Sequence, residues 1–383
     1  MSWWTTGMML LAAYWGIRIL VTRHRIQRGW WAATPESWPN APKAPPEVSI
    51  CVPARNEAPV IGDCVRCLLG QDWPNIKELI LVDDQSTDGT AAEALKAAAG
   101  DDRLRIIEGS GPPEGWMGKS AALWRAQGQA TGEWLMFVDA DARLHPRALS
   151  VVMGAARHYD AGMVSWLGQL ETRTFWEHVL MPFIGDLIAL FSPLAKVNDP
   201  GRDDCLANGQ MILINRETYD DIGGHETIRA SVVDDISMSR EVKHGDNPHR
   251  YVLLQSLGLM RVRMYDSLGA VWKGFGKNFY AAAKRDTGLL AILLIYLLLT
   301  SILPWVAFPW LLLHGDVQAA GAAGLAIAAT IGYRKYTLPY APTTPWALLL
   351  HPLAAIVTGG IVIDSALRGL GILKPVKWKG RAV

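Results

Sequence analysis

WLMFVDADARLHP, residues 134–146, runs from an apolar stretch straight into two aspartates one position apart, Asp139 and Asp141. Like charges so close repel, and each carboxylate loses hydration on burial unless something positive sits between them. Taken alone, the stretch has two readings. It is a strand that reaches solvent and turns, with Asp as an ordinary loop residue, or it is a strand end that holds a cation.

The flanking sequence bears on the choice. VSICVPARNE (48–57) and KELILVDDQSTDGT (77–90) are also apolar strands ending in polar loops, and RLRIIEG (103–109) is a third short strand. Helical stretches alternate with them: one through Leu69, an alanine-rich one over 91–99 that Asp88 or Thr90 can cap, and GKSAALWRAQGQA (118–130). Alternating strands and helices predict an α/β fold with a mostly parallel, Rossmann-like sheet and ligands at the carboxyl ends of its strands. Arg55-Asn56-Glu57, Asp83-Asp84 and Asp139/Asp141 all stand at such ends, which favours the cation-holding reading.

Apolar residues are unevenly spread over the 383 positions. Residues 2–17, 289–313, 317–332 and 346–363 carry no charged side chain. The second is long enough to cross a bilayer. Arg23, His24, Arg25 and Arg28 follow the first apolar run instead of preceding it, as in a retained anchor with a cytoplasmic C-terminal flank and not a cleaved signal peptide. Trp3, Trp4, Trp30, Trp31, Trp305, Trp310 and Trp346 lie near segment ends, where interfacial tryptophan collects. The expected partners therefore include the lipid bilayer, and a net charge of +1 gives no electrostatic case for nucleic acid. Cys64 and Cys67 form a C-x-x-C without a second ligand pair, so spacing on one helix face explains them better than zinc or redox chemistry.

GWMGKS (115–120) nearly matches a phosphate-binding P-loop, but Pro113 stands where the first glycine should be and has no N–H to offer. In contrast, VPARNEAPVIGDCVRCLL, LVDDQSTDGT, GWMGKSAAL and FVDADA occur in an order and spacing that resembles family 2 glycosyltransferases, whose catalytic domain has the GT-A fold. The resemblance spans about residues 48–280 and implies a divalent metal, Mg2+ or Mn2+, with a UDP-sugar as donor. It assigns the metal to Asp139 and Asp141. It assigns the donor to Pro53, Ala54, Arg55, Asn56, Glu57, Asp83, Asp84, Lys119, Asp139 and Ala140. Asp234 and Asp235, opening the helix in SVVDDISMSREVKHG (231–245), match the family's acidic pair. The resemblance makes Asp235 the general base of an inverting displacement, with Asp234 positioning acceptor or base; as plain residues, the pair can equally be helix caps. Asn208, Gly209 and Gln210 would wall the acceptor side, although Asn-Gly is equally a turn signal.

Residues 260–285 are basic and aromatic, and read either as an interfacial segment with snorkelling lysines or as an acceptor-side element. WKGFGKN (272–278) looks like a segment of bacterial carotenoid- and hopanoid-pathway transferases, which would place Trp272, Lys273 and Lys277 on the acceptor and diphosphate side. The Gln/Arg-x-x-Arg-Trp string of chain-building synthases and ceramide glucosyltransferases is missing, which disfavours polymer synthesis. HVLMPFIGDLIALFSPLA (178–195) is either a lipid entry path or a core helix, and His145, His225 and His249 read as surface or loop residues.

The expected organisation is an N-terminal transmembrane anchor (1–24), a proline-rich linker (25–46), a cytoplasmic GT-A domain (47–284), C-terminal transmembrane or re-entrant helices (285–367) and a basic cytoplasmic tail (368–383). Full crossing by all three C-terminal segments would leave that basic tail outside, against the positive-inside tendency. One segment is therefore expected not to cross, the candidates being 289–313, turned back at Pro304 and Pro309, and 317–332. The expected activity is transfer of a hexose, glucose from UDP-glucose, to a hydroxyl of a membrane lipid such as a carotenoid or polyisoprenoid alcohol. Sugar transfer in polysaccharide, undecaprenyl-phosphate or ceramide-type glycolipid synthesis and an inactive GT-A-like membrane scaffold are the alternatives.

Overall fold

A computed structural model describes residues 2–27, 31–39, 44–191, 194–337, 343–374, 377–378 and 381–382. The chain divides into two compact units. One holds residues 31–169 and 191–264, the other residues 1–30, 170–190 and 265–383. The span 47–284 expected as one domain is thus shared between them.

The first unit is built on strands β1 (Ala32–Ala33), β2 (Val48–Ala54), β3 (Ile76–Asp83), β4 (Leu104–Glu108), β5 (Trp134–Val138), β6 (Ala142–Leu144), β7 (Met163–Leu167), β8 (Gln169–Leu170), β9 (Met211–Asn215), β10 (Tyr251–Ser256) and β11 (Met260–Val262). Eight of them form one sheet in the order β1-β10-β7-β9-β5-β2-β3-β4. All neighbours are parallel except β9, which runs antiparallel to β5 and β7. β2 to β5 are nearly continuous apolar runs, and their side chains are largely buried in the central strands, as a sheet covered on both faces requires. Ala32 and Ala33, expected in a linker, add a parallel edge strand, and Trp31 packs on Tyr159 at 4.6 Å.

The strand order reverses between β2 and β5, and an open α/β sheet takes its ligand at such a reversal. Pro53 opens the crevice. β2 pairs with β5 only from Val48 to Cys51 but with β3 as far as Ala54, so the proline lacking an N–H stands where the β5 side has already parted.

The second unit is helical. Among the described residues, three helices are long and apolar enough to cross a membrane: Trp3–His24, Thr287–Leu313 and His351–Gly369. The expected reversal at Pro304 and Pro309 does not occur, because the helix continues from Thr287 to Leu313 through a π turn at Leu297–Ile302. Pro304 cannot bond to the Thr300 carbonyl one turn back; the Trp15 indole N–H donates to it instead, at 3.2 Å. Pro182, inside the helix Phe175–Phe191, likewise frees the His178 carbonyl, which accepts from the Thr343 hydroxyl at 2.8 Å. An apolar surround leaves no water for such orphans, so side chains must take them up. The helix Phe175–Phe191 buries Leu180, Phe183 and Ile184.

Contacts along the helices fix their directions. Ser2 bonds to Asp316 and Arg18 to Tyr333, so Val317–Thr337 runs parallel to Trp3–Gln27. Tyr14 meets Tyr296 and Trp4 meets Trp310, so Thr287–Leu313 runs antiparallel to both. His351–Gly369 differs. It begins beside Trp15, passes Leu294 at Gly359, and ends against Tyr280. It therefore spans only the half of the bundle farther from Ser2 and Asp316, and the chain beyond Gly369 leaves at that far end. Lys379 and Val383 lie outside the described residues.

Candidate active site

Two loops close over the ends of β2 and β3. The Arg55 guanidinium donates to the Asp84 carbonyl at 2.8 Å, and Asp84 Oδ1 accepts the Gly111 N–H at 3.0 Å. The Asn56 N–H donates to Ser86, and its side-chain oxygen accepts from Thr87. The Glu57 N–H donates to the Thr90 hydroxyl and the Ala58 N–H to Asp88. Asn56 takes a left-handed φ of 53°, which asparagine tolerates better than most residues. Arg55, Asn56, Glu57, Asp83 and Asp84 thus form one cross-braced rim, with Pro53 and Ala54 paired to Val82 and Asp83 beneath it.

Across the crevice, β5 ends and the chain turns through Asp139, Ala140 and Asp141 into β6. Asp139 Oδ1 lies 2.6 Å from Lys119 Nζ, on the helix Gly118–Gln127. Lys119 Nζ also donates to the Gly209 carbonyl at 3.2 Å, while the Gly209 N–H donates to Asp235 Oδ2 at 2.8 Å. Gly209 is the joint between the two. A Cβ there would stand 2.7 Å from Lys119 Nζ and 3.4 Å from Asp235 Oδ2, so any other residue would displace the ammonium from this position. Asn208 and Gln210 form a turn held by their own side chains, at 2.8 and 3.2 Å.

Asp234 and Asp235 open the helix Asp234–His244, whose cap position is Val233. Asp235 Oδ1 accepts the Ile236 N–H at 2.8 Å. Burial and then the neighbouring Asp234 charge push the Asp235 carboxyl up to about 6, against the pull of Lys119 and the two backbone donors. Burial works against the Lys119 charge, but Asp139, Asp234 and Asp235 outweigh it and hold the ammonium well above the ordinary lysine value. Among the described residues, no three His, Cys, Asp or Glu side chains converge as a self-sufficient metal cage. Two hard carboxylates at a crevice fit a Mg2+-like ion that completes its shell with phosphate oxygens.

Residues 49–223 match glycosyl transferase family 2. The chain carries a family 2 glycosyltransferase domain. It is 24% identical over 345 residues, 87% of each protein, to the 4,4'-diaponeurosporenoate glycosyltransferase of Staphylococcus aureus strain USA300. The protein of that name from strain MRSA252 is 26% identical over 245 residues, 62% of this chain and 61% of its own. The mannosyltransferase PcManGT of Pyrobaculum calidifontis, solved with GDP-Man and Mn2+, covers 96% of this chain and 99% of its own, with a TM-score of 0.52 at 22% identity. The sheet-bearing unit has the GT-A fold, which the likeness to the PcManGT structure supports.

Trp272, Lys273 and Lys277 lie on the helix Leu268–Ala282 in the other compact unit, where the Trp272 ring packs on Gly360. His145 and His249 sit in loops, as expected, with His249 Nε2 2.7 Å from Asp221. His225 corrects the expectation: it is buried at 2% exposure behind Phe137, facing Lys119, Asp234 and Asp235. Lys243 is a second buried residue the sequence did not disclose. Its ammonium donates to the Val197, Arg202 and Asp204 carbonyls at 2.8, 3.0 and 2.8 Å, pinning the loop that leads to Asn208.

Proposed function

We propose that this glycosyltransferase moves glucose from UDP-glucose to a hydroxyl of a polyisoprenoid lipid such as a carotenoid, by single displacement with inversion. The observation that carries the reading is the joint at Gly209, which holds Asp235 and the Asp139–Lys119 pair at one strand-end crevice. The diaponeurosporenoate glycosyltransferase similarity over 87% of the chain favours an apolar, isoprenoid acceptor.

In the proposed reaction the Asp235 carboxylate takes the acceptor's proton. The acceptor oxygen forms a bond to the anomeric carbon as the bond from that carbon to the diphosphate breaks, and UDP leaves with the electron pair. A carboxyl poised near 6 is ionised at neutral pH yet basic enough for this task. Asp234 orients the acceptor or the base. Arg55, Asn56, Glu57 and Asp84 grip the nucleoside, and Lys119 offers a positive charge beside the diphosphate. Asp139 and Asp141 would hold a divalent ion, Mg2+ or Mn2+, which neutralises charge on the leaving group. The PcManGT complex with GDP-Man and Mn2+ supports a metal and a nucleotide-sugar donor in this fold.

The protein is read as a multi-pass membrane enzyme with its catalytic unit and C-terminal tail in the cytoplasm. Arg23 and His24 on the anchor's flank and the shortened path of His351–Gly369 support this. Ile372→Cys, at an exposed position, should resist an impermeant thiol reagent in intact cells, and Gly315→Cys should react; the reverse labelling overturns the topology.

Membranes containing the enzyme, incubated with labelled UDP-glucose or GDP-mannose and polyisoprenoid alcohols, test the activity. A β-glucosylated lipid formed from UDP-glucose is the expected product. An α linkage would exclude inversion, and product from GDP-mannose alone would exclude the donor.

A further inference from the structure

His225 has no part in the reaction as described, yet it is built into the same site. It follows Gly224 in the short helix Gly224–Thr227, and its ring meets Phe137 edge-on at 4.8 Å and 90°. Phe137 lies on β5, two residues before Asp139. Hydrogen bonding fixes the ring's proton. The His225 backbone N–H donates to the Tyr219 hydroxyl at 3.1 Å, and that hydroxyl lies 2.8 Å from His225 Nδ1. Among the described residues Tyr219 has no other acceptor, so its proton goes to Nδ1. The ring is neutral, since burial pushes its pKa down to about 4. A neutral imidazole that accepts at Nδ1 carries its proton at Nε2. Among the described residues, Nε2 has no hydrogen-bond partner.

The ring borders a cavity of about 10 Å³ shared with Lys119, Phe137, Gly209, Asp234 and Asp235. That volume admits one water-sized group. Its lining offers an N–H donor and carboxylate acceptors, the pair that one hydroxyl satisfies by accepting from the first and donating to the second. The apolar remainder of the wall leaves a buried donor unpaired whenever the group is missing, which is how a site rejects a ligand lacking a hydroxyl.

We propose that His225 Nε2–H recognises one hydroxyl of the sugar being transferred, making His225 a specificity-determining residue for the donor. The inference rests on the transferase reading above and adds to it a means of choosing the sugar. Tyr219 is the positioning residue that keeps the proton on Nε2.

The test measures binding of UDP and of UDP-glucose, and turnover of UDP-glucose and its monodeoxy analogues, for the wild type, His225→Phe and His225→Gln. His225→Phe keeps the ring against Phe137 but removes the donor, and Gln returns an N–H close to the Nε2 position. The phenylalanine variant should lose about ten- to a hundredfold in kcat/KM for UDP-glucose, with UDP affinity within about twofold of wild type. Gln should recover part of the loss. One deoxy analogue should be poor for the wild type yet as good as the parent sugar for His225→Phe. Equal losses in Phe and Gln overturn the proposal, as does UDP affinity falling in step with turnover. A wild type indifferent to every deoxy analogue also overturns it, meaning that the cavity holds only a structural water. Absence of wild-type transfer counts against the reaction, not against His225, because the difference between UDP-glucose and UDP binding in the variants still decides the latter.

Discussion

Both compact units bury charge, but the partners differ. In the helical unit Asp186 pairs with Arg334, which also donates to the Pro182 carbonyl at 3.0 Å. Arg18 there donates to the hydroxyls of Tyr296 and Tyr333 at 3.0 and 2.6 Å and lies 4.2 Å from the Tyr333 ring centre. In the catalytic unit Asp139, Asp234 and Asp235 all face the single Lys119, and Asp141 stands two residues from the first. One cluster is matched charge for charge and hydroxyl for cation. The other holds a negative surplus against its own repulsion. A matched cluster fixes helix packing, whereas a surplus is tolerated where a cation and a substrate complete it.

The largest effect that would break this contrast is at Asp139 and Asp141. Asp139→Ala or Asp141→Ala should abolish turnover while the protein still inserts in membranes and melts near the wild-type temperature. Full activity in either variant, or turnover in excess EDTA, would remove the reason for the surplus. Next comes Asp235→Asn, expected to slow transfer by about two to four orders of magnitude with UDP affinity nearly unchanged. Wild-type kcat/KM should rise as pH passes through about 6, the Asp235 value, and the Asn variant should lose that limb. The sign for stability is opposite. Because the folded protein raises this carboxyl from 3.8 to about 6, its contribution is full below about 4 and is lost as pH rises through 6. Asp235→Asn should therefore melt above wild type at pH 8 and close to it at pH 4.

In the helical unit the expectation reverses. Arg334→Met removes the ion-pair partner of the part-buried Asp186, a loss that should show as poor recovery of folded protein, and adding Asp186→Leu should restore it. Equal yields from the single and double variants would deny that the pair is matched. The smallest change is Lys243→Met, which frees three carbonyls of the 197–204 loop. It should raise the acceptor KM several-fold without altering the donor KM, and a donor effect of the same size would show that the loop serves the nucleotide side.

The strand-end carboxylates were legible because each motif is contiguous, and local alternation of strand and helix puts its polar tip at the crevice. Gly209 was legible only as a turn signal. Its function as a joint depends on Lys119, ninety positions away, and Asp235 meeting across it. His225 carried no periodic signal, since its burial is set by Tyr219 and by Phe137 on a different strand. In the helical unit, charge bias led to the expectation that one C-terminal segment, 289–313 or 317–332, fails to cross. It could not indicate which, because Pro304 reads as a breaker until Trp15 is seen to satisfy the carbonyl it frees. Trp31 resembled an interfacial residue because sequence does not show Tyr159 beside it.

Mn2+ binding tests the central claim most directly, by titrating the detergent-purified protein followed by the loss of the free-ion electron paramagnetic resonance signal, with and without UDP. Near-stoichiometric Mn2+ binding should appear with UDP present, disappear in Asp139→Ala and Asp141→Ala, and persist in Asp235→Asn and in the Asp186→Leu/Arg334→Met double variant. UDP-dependent Mn2+ binding that survives both alanine substitutions would contradict the account.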